Sequence, residues 1–120
     1  MVAVAVFPTV KSNSDFRRAY ARGRSYPDPA LVTTVIRNRA GVSRVGITTG
    51  KKIGGAVQRN RARRVIRAAF AEFSGSVRPG YDIIFIARSK TCYLKSTQLV
   101  PVMKRQLTAA GLLSGEGKSK

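Results

Sequence analysis

Lys51-Lys52-Ile53-Gly54-Gly55-Ala56-Val57-Gln58-Arg59-Asn60-Arg61-Ala62-Arg63-Arg64-Val65-Ile66-Arg67-Ala68-Ala69-Phe70 reads as a glycine-interrupted basic loop running into a helix with two unlike faces. At about 100° per residue, Ala62, Val65, Ile66, Ala69, Phe70 and Phe73 fall in one arc, and Asn60, Arg63, Arg64 and Arg67 fall in another roughly opposite. The first arc has to face a core. The second has to face something polar, and guanidinium groups held in register on a rigid helix make fork-shaped hydrogen bonds to phosphate oxygens. A charge run can also be a solvated face, but a stable surface helix mixes signs, and Glu72 is the only acid near this one. The segment has the layout of a surface that grips RNA.

Composition points the same way. The chain carries 23 Lys and Arg against 5 Asp and Glu in 120 residues, a formal charge of +18, and such self-repulsion calls for a polyanionic partner. A membrane surface could attract the same charge. However, the longest apolar run, Val2 to Phe7, is too short to span a bilayer and lacks the pattern of a secretion signal. The single cysteine, Cys92, allows neither an internal disulfide nor a metal cluster. It reads as a loop or packing residue in a reduced, cytoplasmic protein. There is no histidine, which removes the commonest general acid/base and metal ligand. Asp15, Glu72, Asp82 and Glu116 fall in separate segments and Asp28 sits between two prolines, so no D-x-D or E-x-x-D cluster is present to hold a pair of magnesium ions. Reactive groups, if any are needed, have to come from a partner.

With 43% hydrophobic residues the chain supports one small domain with one modest core. Residues 1–11 read as an extended arm, 12–113 as a single RNA-binding α+β domain and 114–120 as a disordered basic tail. Ser12 can cap a first helix, with Asp15 at capping-box spacing, and Gly23 ends it. Arg24–Pro29 reads as a loop. Ala30–Arg37 and Arg44–Thr49 read as strands, and together as a hairpin. The basic loop and the arginine helix, about Val57 to Phe73, follow. Tyr81–Ala87 is apolar on both faces, the mark of an interior strand. A last helix is expected over roughly Thr97 to Leu112, starting nearer Leu99 if Pro101 is to lie in its first turn. The result is an α+β fold, a small two-layer sandwich of order α-β-β(-β)-α-β-α with a mixed sheet.

The ordered set Val45-Gly46-Ile47, Lys51-Lys52-Ile53-Gly54, Ala56-Val57, Arg59-Asn60-Arg61, Arg63-Arg64 and Arg67 closely resembles the signature of the bacterial ribonuclease P protein family. Asp15-Phe16, Tyr20 and Gly23 upstream, and Gly80-x-Asp82-Ile83-x-x-Ile86-Ala87-Arg88 downstream, extend the resemblance over nearly all of 12–113. It implies a ribosomal protein S5 domain 2-like fold and a protein subunit that assembles with a catalytic RNA to remove 5′ leaders from precursor tRNA. In that family the chemistry belongs to the RNA, with Mg2+ held by the RNA and no cofactor bound by the protein alone. The resemblance assigns catalytic-RNA contacts to Lys51, Lys52, Arg59, Asn60, Arg61, Arg63, Arg64 and Arg67. It assigns the leader cleft to Phe16, Arg17 and Tyr20, with Thr34 and Ile36 from a strand. The chain departs from the family pattern at Gly50, Gly55 and Thr34, each with one polar or stacking group fewer.

Two readings of Phe16 and Tyr20 stay open. Aromatics four residues apart share a helix face and commonly belong to a core. Here Arg17, Arg18, Arg22 and Arg24 surround them, and aromatic platforms interleaved with cations suit an unpaired strand, whose bases stack while its phosphates follow the charges. A ribosomal-type or RNA-chaperone clamp shares the charge and the helix but needs no such platform. A stand-alone nuclease lacks its acid/base set, and no helix-turn-helix, zinc or zipper pattern supports DNA binding.

Overall fold

The computed structural model describes residues 9, 10, 12–73 and 75–113. Its elements are helix α1 (Asn13–Arg22), strands β1 (Arg24–Tyr26), β2 (Leu31–Arg37) and β3 (Arg44–Thr48), helix α2 (Ala56–Ala71), strand β4 (Tyr81–Ala87) and helix α3 (Ser96–Ala109). Short 3₁₀ turns at Lys51–Ile53 and Thr91–Tyr93 follow β3 and β4. The expected arm, residues 1–11, lies outside the described residues except for Thr9 and Val10, and the expected tail, 114–120, lies outside them altogether.

The four strands form one mixed sheet in the order β1-β2-β4-β3. β2 and β3 are therefore not a hairpin. β4 lies between them, antiparallel to β2 and parallel to β3, and α2 makes the crossover. Composition explains the choice: Ile83, Ile84 and Phe85 are fully buried, so this strand needs cover on both faces and a neighbour on each edge. The true hairpin is β1–β2, with β1 inside the segment Arg24–Pro29 read as a loop and β2 the strand expected over Ala30–Arg37. Its turn is Pro27-Asp28-Pro29-Ala30, where Asp28 Oδ1 accepts from the Ala30 amide at 2.9 Å, as aspartate does in tight turns.

α2 and α3 cover one face of the sheet. Ala62, Val65, Ile66, Ala69 and Phe70 are buried against Leu31, Val35, Ile83 and Phe85, so the apolar arc of the arginine helix is the floor of the main core. Phe70 and Phe85 meet with ring centroids 5.5 Å apart. Gln106 of α3 is buried, accepts from Thr33 Oγ1 at 2.7 Å and donates to the carbonyls of Tyr26 and Leu31 at 2.6 and 2.8 Å. One amide thus satisfies both the helix and the hairpin it packs on. α3 begins at Ser96, not near Leu99, so Pro101 stands in its second turn. Both Pro101 and Thr97, four residues earlier, are exposed, so the carbonyl that loses an amide partner faces water.

α1 covers the opposite face, with Ala19 packed on Ile84 and Val10 beside them. Ser12 caps it by accepting from the Ser14 amide at 3.1 Å. Asp15 takes no part in the cap and turns to Arg44 instead. Gly23 ends the helix against β2, where a Cβ would stand 2.5 Å from the Ala19 carbonyl and 2.9 Å from that of Val35. The β3 edge is partly closed by Val10, whose amide donates to the Val45 carbonyl at 3.0 Å.

Candidate nucleic-acid interface

Strand register fixes what α1 divides. On its face of the sheet, side chains form three rows across β2, β4 and β3: Val32–Ile86–Thr48, Thr34–Ile84–Gly46 and Ile36–Asp82–Arg44. α1 lies along the middle row. Phe16 covers Gly46, Ala19 covers Ile84 and Gly23 abuts Thr34. A Cβ on Gly46 would be 2.8 Å from Phe16 Cζ, so glycine in this strand is what lets the ring lie on the backbone.

The flank toward Asp82 is ionic. Asp82 is fully buried and accepts from Arg44 Nε and Nη2, each at 2.8 Å, and from Asn38 Nδ2 at 2.8 Å. Arg18 of α1 approaches it at 3.7 Å and Asp15 reaches Arg44 at 3.4 Å. Burial pushes the Asp82 carboxyl up, but the hydrogen bonds from Arg44 and Asn38 and the charges of Arg44 and Arg18 outweigh it, leaving the group below the ordinary aspartate value. The Asp82 hydrogen bond is the main reason the Arg44 guanidinium is held above its usual value. Asp15 and Asp82, far apart in sequence, do converge, but on arginine. Among the described residues no three His, Cys, Asp or Glu form a group that could hold a metal ion.

The other flank is open. Tyr20 is 48% exposed, its hydroxyl lies 2.9 Å from Thr48 Oγ1, and its ring centroid is 6.4 Å from that of Phe16. Arg17, three residues before Tyr20 and so its neighbour on the helix surface, is exposed as well. The two aromatics therefore differ in setting: Phe16 is a half-buried ring packed on the Gly46 backbone, and Tyr20 presents its ring to solvent. The strand candidates fare differently. Thr34 is 1% exposed beneath α1 with its hydroxyl 2.9 Å from that of Ser25, and Ile36 lies in the ionic row. On the strand it is Val32 that lies in the row of Ile86 and Thr48. Val32 and Thr48 do not stand out in the sequence, because only the pairing of β2 and β3 through β4 aligns them.

The predicted RNA-binding residues gather at the end of the sheet where β3 finishes, and along α2. Lys51 and Lys52 are exposed on the 3₁₀ turn; Asn60, Arg64 and Arg67 are exposed on α2; Arg59 and Arg63 are half-buried. α2 starts at Ala56 and its first amides are organised by Gln58, whose Oε1 accepts from the Gly55 amide at 3.0 Å. Arg61 is also exposed, and its Nε donates to the Cys92 carbonyl at 2.6 Å, clamping α2 to the Thr91–Tyr93 turn. Cys92 itself is buried in the core, as a packing residue. Arg63 and Arg67 overhang a groove of about 560 Å³ floored by Val45, Ile47 and Phe16. Among the described residues no helix is long and apolar enough to cross a membrane.

Known proteins share this fold. The Ribonuclease P family profile matches residues 7–111. The ribonuclease P protein component of Clostridioides difficile is 45% identical over 80 residues, covering 66% of this chain and 70% of that one. That of Dehalococcoides mccartyi is 37% identical over 100 residues, covering 83% and 82%. Among solved structures, the RNase P protein of Staphylococcus aureus superposes with a TM-score of 0.77 at 31% identity over 88% of this chain and 97% of its own. The RNase P protein of Thermotoga maritima gives 0.74 at 25% identity over 84% and 96%. The α+β fold, with its mixed four-stranded sheet and three helices, is the fold of those proteins, and the chain belongs to the bacterial ribonuclease P protein family.

Proposed function

We propose that this chain, as the protein component of ribonuclease P, holds the 5′ leader of precursor tRNA on the open flank of α1 while α2 holds the catalytic RNA. The observation that carries the leader assignment is Tyr20. An aromatic ring 48% exposed, held through its hydroxyl by Thr48 in the row of Ile86 and Val32, with Arg17 beside it and Lys51 and Lys52 at the end of β3, is a stacking surface with a cationic rim. Stacking and phosphate contacts accept any base, as a subunit that handles many precursors requires. Chemistry falls to the RNA: this chain's carboxylates at the cleft are engaged by arginine, and the Mg2+ that activates water would be bound by the RNA.

The test is Tyr20→Ala in protein reconstituted with ribonuclease P RNA. Affinity for precursor tRNA should fall by about 1–3 kcal/mol, with mature tRNA unaffected and the melting temperature near that of the parent. Equal loss for both tRNAs would instead favour a clamp that only stabilises folded RNA.

A further inference from the structure

Beyond the arginine helix and the leader flank, one exposed aromatic among the described residues has no role. Tyr93 is 75% exposed, yet it stands on a rigid turn. Thr91 is fully buried, donates to the Ala30 carbonyl at 2.6 Å and accepts from the Arg88 amide at 2.9 Å. Cys92 beside it is buried in the core, and the Tyr93 amide donates to the Lys90 carbonyl at 3.0 Å. Two anchors thus fix the backbone that presents this ring to solvent, so the turn itself needs no ordering when something stacks on the ring.

The surroundings choose the partner. Arg88, Lys90 and Lys95 flank Tyr93 along the chain and are all exposed, with no acidic residue between Arg88 and Lys95. Arg61 joins this turn to α2 through the Cys92 carbonyl, so the surface continues the basic face of the helix. β3 and β4 run parallel, which brings the turns after them, Lys51–Ile53 and Thr91–Tyr93, to the same end of the sheet. Tyr93 lies on the α2 side of that end and Tyr20 on the α1 side. We infer that Tyr93 is a second stacking platform, which takes an unpaired base of the catalytic RNA while Arg88, Lys90 and Lys95 meet its flanking phosphates. The inference rests on the reading of α2 as the catalytic-RNA face.

The experiment measures binding of full-length protein to ribonuclease P RNA over a range of salt concentrations for Tyr93→Ala, Tyr93→Phe, Tyr93→Leu and Arg67→Ala. Loss of one stacked base should weaken binding about 5- to 150-fold in Tyr93→Ala. Tyr93→Phe should bind like the parent, and Tyr93→Leu, which keeps apolar bulk without a π face, should be weakened like alanine. The slope of log affinity on log salt should stay unchanged in the Tyr93 variants, because a neutral ring releases no counterions, and should flatten in Arg67→Ala. Tyr93→Ala or Tyr93→Leu within twofold of the parent, with Arg67→Ala weakened, overturns the platform alone. If Arg67→Ala also binds normally, the α2 reading fails as well. Weakening confined to precursor tRNA, with assembly on the catalytic RNA intact, overturns the assignment by making Tyr93 part of the leader path.

Discussion

Replacing Asp82 by Asn should reveal how much of this very basic fold depends on one buried carboxylate. The side chain is fully buried, with two hydrogen bonds from Arg44, one from Asn38 and a further cation, Arg18, at 3.7 Å. Asparagine keeps the shape but turns one acceptor into a donor facing Arg44 and leaves two guanidinium charges without this counterion. Removing one partner of a buried pair costs about 3–5 kcal/mol. Against a total stability of about 5–15 kcal/mol this is a large share, and at about 4–8 °C per kcal/mol for a domain near this size the melting temperature should drop by about 12–40 °C at pH 7. The sign with pH follows from the lowered carboxyl. Its stabilisation is complete above the unfolded value of 3.8 and is lost as the pH falls through the lower folded value. The gap between parent and Asp82→Asn should therefore close in acid. Adding Arg44→Met should recover part of the loss, since an apolar pair avoids the stranded charge. Urea melts followed by circular dichroism across pH 2–7 measure all three. A variant within about 1 kcal/mol of the parent at pH 7, or a gap that widens in acid, refutes the account.

Other perturbations separate packing from binding. Gly46→Ala puts a Cβ 2.8 Å from Phe16 Cζ, so the ring has to lift. The expected cost is about 1–3 kcal/mol in a thermal melt, and an unchanged melt would show that the ring does not rest on the strand. Ile66→Ala, at a fully buried position in α2, should lose about 2–5 kcal/mol, whereas Arg64→Ala, exposed on the same helix, should melt within about 0.5 kcal/mol of the parent. Arg64→Ala combined with Arg67→Ala should flatten the log–log salt dependence of catalytic-RNA binding by somewhat less than one unit for each phosphate left unneutralised; equal slopes would make the helix merely a solvated face.

Local patterns decided a good deal of this protein without any structure. The 3.6-residue period of α2 separated its buried arc from its arginines correctly, because helical geometry depends only on neighbours along the chain. The two-sided apolar run of β4 announced a central strand for the same reason. Ser12 and Gly23 bounded α1 as expected. What local pattern could not supply was adjacency. Two strands joined by a short polar link looked like a hairpin, and only competition for the sheet's centre, won by the strand with the most apolar surface to cover, put β4 between β2 and β3. That placement set the rows across the sheet. The rows sent Ile36 to the ionic flank, hid Thr34 under α1, and brought Thr48, in line with Ile86 and Val32, to Tyr20. It also gathered Asp15, Arg18, Arg44 and Asp82 into one network from three elements, α1, β3 and β4. Residue types and helical faces are properties of the chain; which flank of α1 is open, and which carboxylate is buried, depends on long-range pairing that no local window contains.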